Sequence, residues 1–255
     1  MDLQLGGKIA LISGASAGIG RETAKVLAGE GVQTVAVARR QNLLNSLAEE
    51  IEAAGGPRPM VIAEDLTDRS AFDRIKERVL GAYGRLDILI NNLGGSRPLG
   101  MNASDDDWDE AFNFNFTPMR KLSEAFVPAM QERKWGRVVC LTASTEPWDV
   151  SGSLSTKAAV IVWAKGLSKR VARDGITVNC VSPGFLLTEQ IREHYFTQVL
   201  PTEADREKFL RDEIPAGYFG EASDAADLIV YLCSPRARYI TGQRLYVNGG
   251  HDRSI

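Results

Sequence analysis

Cysteine is scarce, with three in 255 residues. Cys140, Cys180 and Cys233 stand too far apart in the chain to form the paired knuckles of a metal site. They read as packing residues in a reducing compartment, and no metal site is expected. Net charge is also small: 30 Lys and Arg against 33 Asp and Glu leave −3. Nothing in that balance is built for nucleic acid or for an anionic membrane surface. The opening residues, MDLQLGGKIALISG, lack a basic stretch followed by a long apolar one, and their apolar run stops at a glycine turn. The chain is expected in the cytoplasm. It contains no internal repeat and no low-complexity linker.

What remains is an ordinary globular composition, 44% apolar and 25% charged. A length of 255 residues suits one α/β sandwich with a large core, so residues 1–255 are expected as a single domain. Apolar runs at 8–12, 33–38, 60–64, 86–90, 136–142, 176–181 and 243–247 read as strands. Helical periodicity falls between them, near 18–30, 41–54, 68–82, 104–132, 153–173 and 222–233. This alternation predicts a single-domain Rossmann fold: a doubly wound, seven-stranded parallel sheet with helices on both faces. The long connection 182–221 carries Tyr195, Phe196, Phe209, Tyr218 and Phe219. An insertion at the carboxyl end of a strand suggests a substrate lid, about 185–221, with a surface helical pair as the alternative.

Ser13 to Gly20 reads SGASAGIG. Gly14, Gly18 and Gly20 fall where the first strand turns into the first helix, with Ser16 and Ile19 in the same turn. Glycine there permits a tight bend, close approach of a pyrophosphate to backbone N–H groups and close packing of helix on strand. Further along, Asn91-Asn92-Leu93-Gly94 follows an apolar run, Trp108 lies seven residues before Asn115, Lys157 opens a helix, and Pro183-Gly184 with Thr188 follows the sixth strand. In this order these motifs resemble the classical branch of the short-chain dehydrogenase/reductase family, from about Gly6 to Gly250.

The resemblance implies a nicotinamide dinucleotide, and the end of the second strand selects which one. An acidic residue there accepts hydrogen bonds from ribose hydroxyls, whereas a cation pairs with a 2′-phosphate. Here Ala38 stands at the acidic position and Arg39-Arg40 follow, favouring NADP(H) over NAD(H). Beginning a solvated helix face is the other role open to these arginines. By position, Asp65 and Leu66 match the family's adenine contacts, and Asn92 to Gly94 match the stretch along the adenosine ribose. Pro183, Gly184 and Thr188 match the segment under the nicotinamide carboxamide. A turn or cap role is the alternative for Asp65.

In the family a tyrosine transfers the proton, and a lysine four residues on lowers its pKa and holds the nicotinamide ribose. A serine polarises the carbonyl, and an asparagine on the long preceding helix holds a water. Lys157 and Asn115 match. Pro118 cannot donate to the carbonyl of Phe114, which predicts a kink that would free carbonyls near Asn115. Ser144 is taken as the polarising serine, although the expected slot falls on Ala143 and a turn role for Ser144 is open. The tyrosine position is occupied by Ser153, a shorter and far weaker acid.

Three readings follow: a carbonyl/alcohol oxidoreductase whose relay uses Ser153, Lys157 and water or recruits Tyr195, His194 or His251; non-redox carbonyl chemistry (retro-aldol, isomerase or lyase type) on the same scaffold; and a catalytically weak NADP(H)-binding protein. The partner expected in the first is a small carbonyl or alcohol, with Arg97, Arg192 or His194 open as contacts to an anionic group. The resemblance also implies a homodimer or homotetramer, with Leu122, Phe126, Val160, Trp163 and Leu167 as candidate faces or as core.

Overall fold

Seven apolar runs too short to be helices pair in parallel. The computed structural model describes residues 1–96 and 98–253; Arg97 lies outside the described residues. Strands β1 (Ile9–Ser13), β2 (Gln33–Ala38), β3 (Met60–Ala63), β4 (Ile88–Asn91), β5 (Gly136–Leu141), β6 (Ile176–Pro183) and β7 (Arg244–Val247) form one sheet in the order β3-β2-β1-β4-β5-β6-β7. Every pair is parallel, as the strand–helix alternation requires.

Both faces of the sheet are covered, so its strands are apolar throughout rather than alternating. Ala10 and Ile12 of β1 point into a core with helices α1 (Gly18–Gly29), α2 (Gln41–Ala53) and α9 (Ala222–Cys233). Ile9 and Leu11 point the other way, into a core with α3 (Ala71–Tyr83), α5 (Thr117–Glu132) and α6 (Gly152–Val171). All three cysteines are buried and unpaired. Strand order runs outward in opposite directions from β1 and β4. A crevice therefore opens beyond their carboxyl ends, where open α/β sheets bind ligands.

The structure refines several boundaries. The helix expected over 104–132 is two helices, α4 (Asp105–Asn115) and α5, broken at Phe116 with φ −109° and ψ −53°. Pro118, in the first turn of α5, has no N–H to continue the ladder. Helix α3 starts at Ala71 rather than near 68 because two aspartates close turns before it. Asp65 accepts from the N–H of Thr67 at 3.0 Å, and Asp68 accepts from that of Ser70 at 2.9 Å. After β6 the chain forms a π-helical turn (Ile191–Tyr195), a single turn α7 (Phe196–Gln198) and α8 (Glu203–Glu213).

Of the five residues open to either association or core, three belong to the core. Leu122, Phe126 and Val160 are wholly buried inside the monomer, because α5 and α6 turn these positions toward the sheet; Trp163 and Leu167 pack partly against the same core. Among the described residues no helix is long and apolar enough to cross a membrane.

Asp87 pins the amino-terminal edge of the sheet. Its buried carboxylate accepts from the N–H of Ile9 at 2.9 Å, Arg85 at 3.2 Å and Arg133 at 2.8 Å. Asp87→Ala would strand a buried N–H and remove the counter-ion of two arginines. The expected cost is about 2–4 kcal/mol, read as a lower urea midpoint at unchanged m-value.

Candidate active site

The turn after β1 is shaped by what cannot fit into it. Gly14 has φ +68°, and a Cβ there would lie 2.9 Å from Asn92 Nδ2. Asn92 fills that space itself, donating through Nδ2 to the carbonyls of Ser13 at 3.1 Å and Gly14 at 3.2 Å. Ser13 Oγ accepts from the N–H groups of Asn92 and Leu93, so the ends of β1 and β4 are tied across the crevice. Gly20 packs against the same Asn92 side chain and the Gly14 carbonyl. Helix α1 then begins at Ala17 with no side-chain cap and no acidic residue in its first turn. A helix start left bare in this way presents N–H donors and a positive dipole end to the crevice.

One cleft of about 620 Å³ runs along the carboxyl ends of the strands. At this end it is lined by Gly14, Ser16, Gly18 and Ile19, together with Asp65, Leu66 and Asn92. Arg39 and Arg40 line it beside neutral Ala38. Arg40 is held as a fork: Nη1 and Nη2 each lie 2.9 Å from a carboxylate oxygen of Glu189, and Nε and Nη2 reach Ser16 Oγ at 3.4 and 3.3 Å. That pairing holds the Glu189 carboxyl below the usual range. Arg39 is looser, 3.8 Å from Asp65. Asp65 is thus a turn-former and an arginine partner, and it also lines the cleft.

At the other end stands Lys157. Its Nζ is buried and donates to the carbonyl of Leu141 at 2.7 Å, with that of Leu93 at 3.5 Å. Burial pulls the ammonium down to about 8. A Cβ on Gly94 would stand 2.5 Å from Lys157 Nζ and 3.0 Å from Asn115 Oδ1, so a side chain there would have to displace the lysine head. Asn115 lies just behind the cleft wall, accepting from the N–H of Gly95 at 3.0 Å and donating to the carbonyl of Ala111 at 3.2 Å. Its amide braces the Gly94–Gly95 wall.

Ser153 lines the cleft beside Lys157, and its Oγ lies 3.1 Å from Ser151 Oγ. Ser151 caps α6, accepting from the N–H of Leu154 at 3.3 Å.

Ser144 is placed differently from the expectation. Its hydroxyl donates to Asp252 and accepts from the N–H of Glu146, and it is not among the cleft-lining residues; Thr142 and Ala143 are. The cause lies in β7, whose Arg244 reaches the Ala143 carbonyl, Thr145 Oγ1 and Ser182 Oγ, each at 2.8 Å. It clamps the loop after β5 so that Ala143 keeps the cleft-facing slot. Thr142 is occupied too, between the Val181 carbonyl and Ser182 Oγ. Nothing in the local spacing announces Arg244 or Asp252. Ser151 had a signal, a serine just ahead of a helical run.

Pro183 and Thr188 line the cleft; Gly184 lies behind them, where a Cβ would come within 2.7 Å of Asn248 Cα. Beyond them an aromatic group gathers on Phe185, whose ring lies 4.7 Å from Phe209, 5.1 Å from Tyr195 and 5.1 Å from His251, with Trp148 stacked outside at 6.5 Å. Tyr195 lines the cleft, but its hydroxyl is buried without a partner, and burial pushes it up to about 12. It holds its proton too tightly to serve as a neutral-pH acid. His251 Nδ1 lies 3.0 Å from the Glu213 carbonyl, and His194 and Arg192 are exposed; none of the three lines the cleft.

Residues 14–252 match the family model described as enoyl-(acyl carrier protein) reductase. The chain is 33% identical to the 3-oxoacyl-(acyl-carrier-protein) reductase FabG of Escherichia coli over 248 residues, 96% of this chain and 97% of that one. L-sorbose reductase from Gluconobacter frateurii, solved with NADPH and L-sorbose, superposes with a TM-score of 0.93 at 30% identity over all of both chains. YwfH, an NADPH-dependent reductase of bacilysin biosynthesis, gives a TM-score of 0.93 at 29% identity over 97% of this chain and 99% of its own. With the glycine turn, the Asn92–Gly94 stretch and Lys157 in one crevice and Asn115 behind its wall, the chain belongs to the short-chain dehydrogenase/reductase family of oxidoreductases.

Proposed function

We propose that the chain is an NADP(H)-dependent oxidoreductase that interconverts a carbonyl and an alcohol on a small organic substrate, with Ser153 and Lys157 as its proton path. The observation that carries this reading is the continuity of the cleft, with the uncapped start of α1 and Arg39–Arg40 at one end and Ser153 and Lys157 at the other. The residues fit a dinucleotide. The α1 N–H groups suit a pyrophosphate, Arg39, Arg40 and Ser16 suit a 2′-phosphate, and Lys157, which lines the cleft, is assigned to the nicotinamide ribose. Asp65, Leu66 and Asn92 are assigned to the adenosine half; Pro183, Gly184 and Thr188 are assigned to the nicotinamide. The NADPH named with two of the similar structures supports the phosphorylated form.

The nicotinamide supplies or accepts the hydride. The chain handles the proton. Ser153 lies one helical turn before Lys157, so both side chains leave α6 on one face. In reduction Ser153 Oγ gives its proton to the substrate oxygen, Lys157 Nζ, bonded to the Leu141 and Leu93 carbonyls rather than to Ser153, restores it through water, and Lys157 regains its own from solvent along the cleft. Asn115 keeps the Gly94–Gly95 wall against Lys157, and residues 185–221 act as a lid whose aromatic side chains shield the reacting carbon from water. Membership of the family supports assembly as a homodimer or homotetramer. An amine near 8 also favours a second reading, non-redox carbonyl chemistry on Lys157. Turnover without dinucleotide, with borohydride trapping at Lys157, would identify it.

Reduction is expected to fall as pH rises through about 8, where Lys157 loses the proton it must supply, and alcohol oxidation to rise over the same interval. Flat rates across that interval would remove Lys157 from the path. Lys157→Met should lower kcat/KM by about a hundredfold or more, followed by nicotinamide absorbance with a β-keto ester, an α-diketone and an aromatic aldehyde.

Arg40 must exchange Glu189 for the 2′-phosphate, so Arg40→Ala should weaken NADPH about tenfold and NADH little. Glu189→Gln, which removes the competing carboxylate, should tighten NADPH by about threefold. Fluorescence titration with both nucleotides checks the pair, and equal responses to NADPH and NADH would exclude a 2′-phosphate at Arg40.

A further inference from the structure

The three residues around the expected carbonyl-polarising slot offer no hydroxyl to the cleft. Thr142 Oγ1 is held between the Val181 carbonyl and Ser182 Oγ, Ala143 has no hydroxyl, and Ser144 is tied to Asp252 and to the N–H of Glu146. Arg244 clamps this loop at two points, the Ala143 carbonyl and Thr145 Oγ1, so a simple rotamer change does not release it. The cleft nevertheless has a hydroxyl pair beside Lys157, Ser151 and Ser153, with oxygens 3.1 Å apart.

We propose that Ser151 is a positioning residue that orients and polarises the Ser153 hydroxyl toward the substrate oxygen. The proposal rests on the reading of the site as a carbonyl oxidoreductase. A pair of hydroxyls has two protons: one is spent in the bond between them, and the other is left to donate outward. Either hydroxyl of the pair can donate to the other. Ser151 Oγ already accepts from the N–H of Leu154 in the first turn of α6. That bond leaves Ser151 its proton and one lone pair; in the proposed orientation the proton goes to Ser153 Oγ, and the Ser153 proton is left for the cleft. Hydrogen bonds in series strengthen one another, so the terminal donor is a better one than an isolated alkanol. Ser153 Oγ keeps a second lone pair for the proton arriving from Lys157. Ser151 is fixed at its other side by an isolated antiparallel bridge to Pro98, and Gly152 packs so closely that a Cβ would meet Leu99 at 2.8 Å. In this arrangement Ser151 lends polarisation, and Ser153 is the group that touches the substrate.

Ser151→Gly removes the hydroxyl while keeping a residue that helix starts tolerate. With NADPH and the β-keto ester, Ser151→Gly should lower kcat about tenfold to thirtyfold and raise the solvent isotope effect, with the NADPH Kd unchanged. Ser151→Thr, which keeps the hydroxyl, should recover most of kcat. The decisive comparison adds Ser151→Gly to Ser153→Ala: if Ser151 acts through Ser153, the second substitution costs nothing further. Additive losses, or a Ser151→Gly enzyme as fast as the parent, overturn the proposal while leaving the oxidoreductase reading intact. A parent enzyme that binds NADPH but oxidises none with any of the three carbonyls overturns both.

Discussion

Lys157 keeps an amine under a sheet where little water reaches it, and three segments meet on that group. Its Nζ donates to the last residue of β5, approaches the carbonyl of Leu93 beyond β4, and projects from the first turns of α6. Burying a cation is costly unless hydrogen bonds replace its water. Two carbonyls replace only part of it, and the ammonium accordingly falls to about 8. The neighbourhood is organised around this compromise. Gly94 is bare because any side chain would collide with Nζ, and Asn115 is wholly buried because the Gly94–Gly95 wall needs a brace behind it. The helix break at Phe116 follows the residue that supplies that brace.

Much of this was readable from the chain because it rests on local rules. Strand runs buried on both faces, glycines at a strand-to-helix turn and a proline two residues after Phe116 each act through their own neighbours. What escaped were contacts between segments far apart in sequence. Ser144 looks available in its loop; Asp252, 108 residues later, takes its hydroxyl. Arg40 looks free to meet a phosphate; Glu189, 149 residues later, already grips both its nitrogens. Leu122, Phe126 and Val160 carry the right period for an exposed apolar stripe, yet α5 and α6 spend that stripe on the sheet. Periodicity identifies an apolar face but not the surface that covers it.

The same long-range ties explain why the wall opposite Lys157 forms one body. The tail after β7 reaches two other segments: Asp252 takes Ser144, the Arg253 N–H meets Glu146, and His251 meets the Glu213 carbonyl at the end of α8. Asn248 joins the same cluster through Asp252. The loop after β5, the segment beyond β6 and the tail therefore move together, with the Phe185 aromatic group between them. Loosening any one should disturb the other two.

A serine in the tyrosine position changes which group carries the acidity of the site. A phenol beside an ammonium can ionise near neutral pH, whereas an alkanol cannot, so with Ser153 the titrating member must be the lysine. The burial that depresses Lys157 then has a purpose that it would not have beside a phenol: it makes the amine the acid nearest to working pH. Tyr195, a phenol that does line the cleft, is shifted the opposite way by burial and keeps its proton. A hydroxyl that never ionises can still pass a proton if it receives one as it gives one. That demands a donor behind it and a fixed direction in front, and it is helped by a surrounding that excludes water, where each hydrogen bond counts for more. In the proposed relay Lys157 is the donor behind, the capped start of α6 holds the hydroxyl pair, and the aromatic group around Phe185 excludes water, each from a different part of the chain.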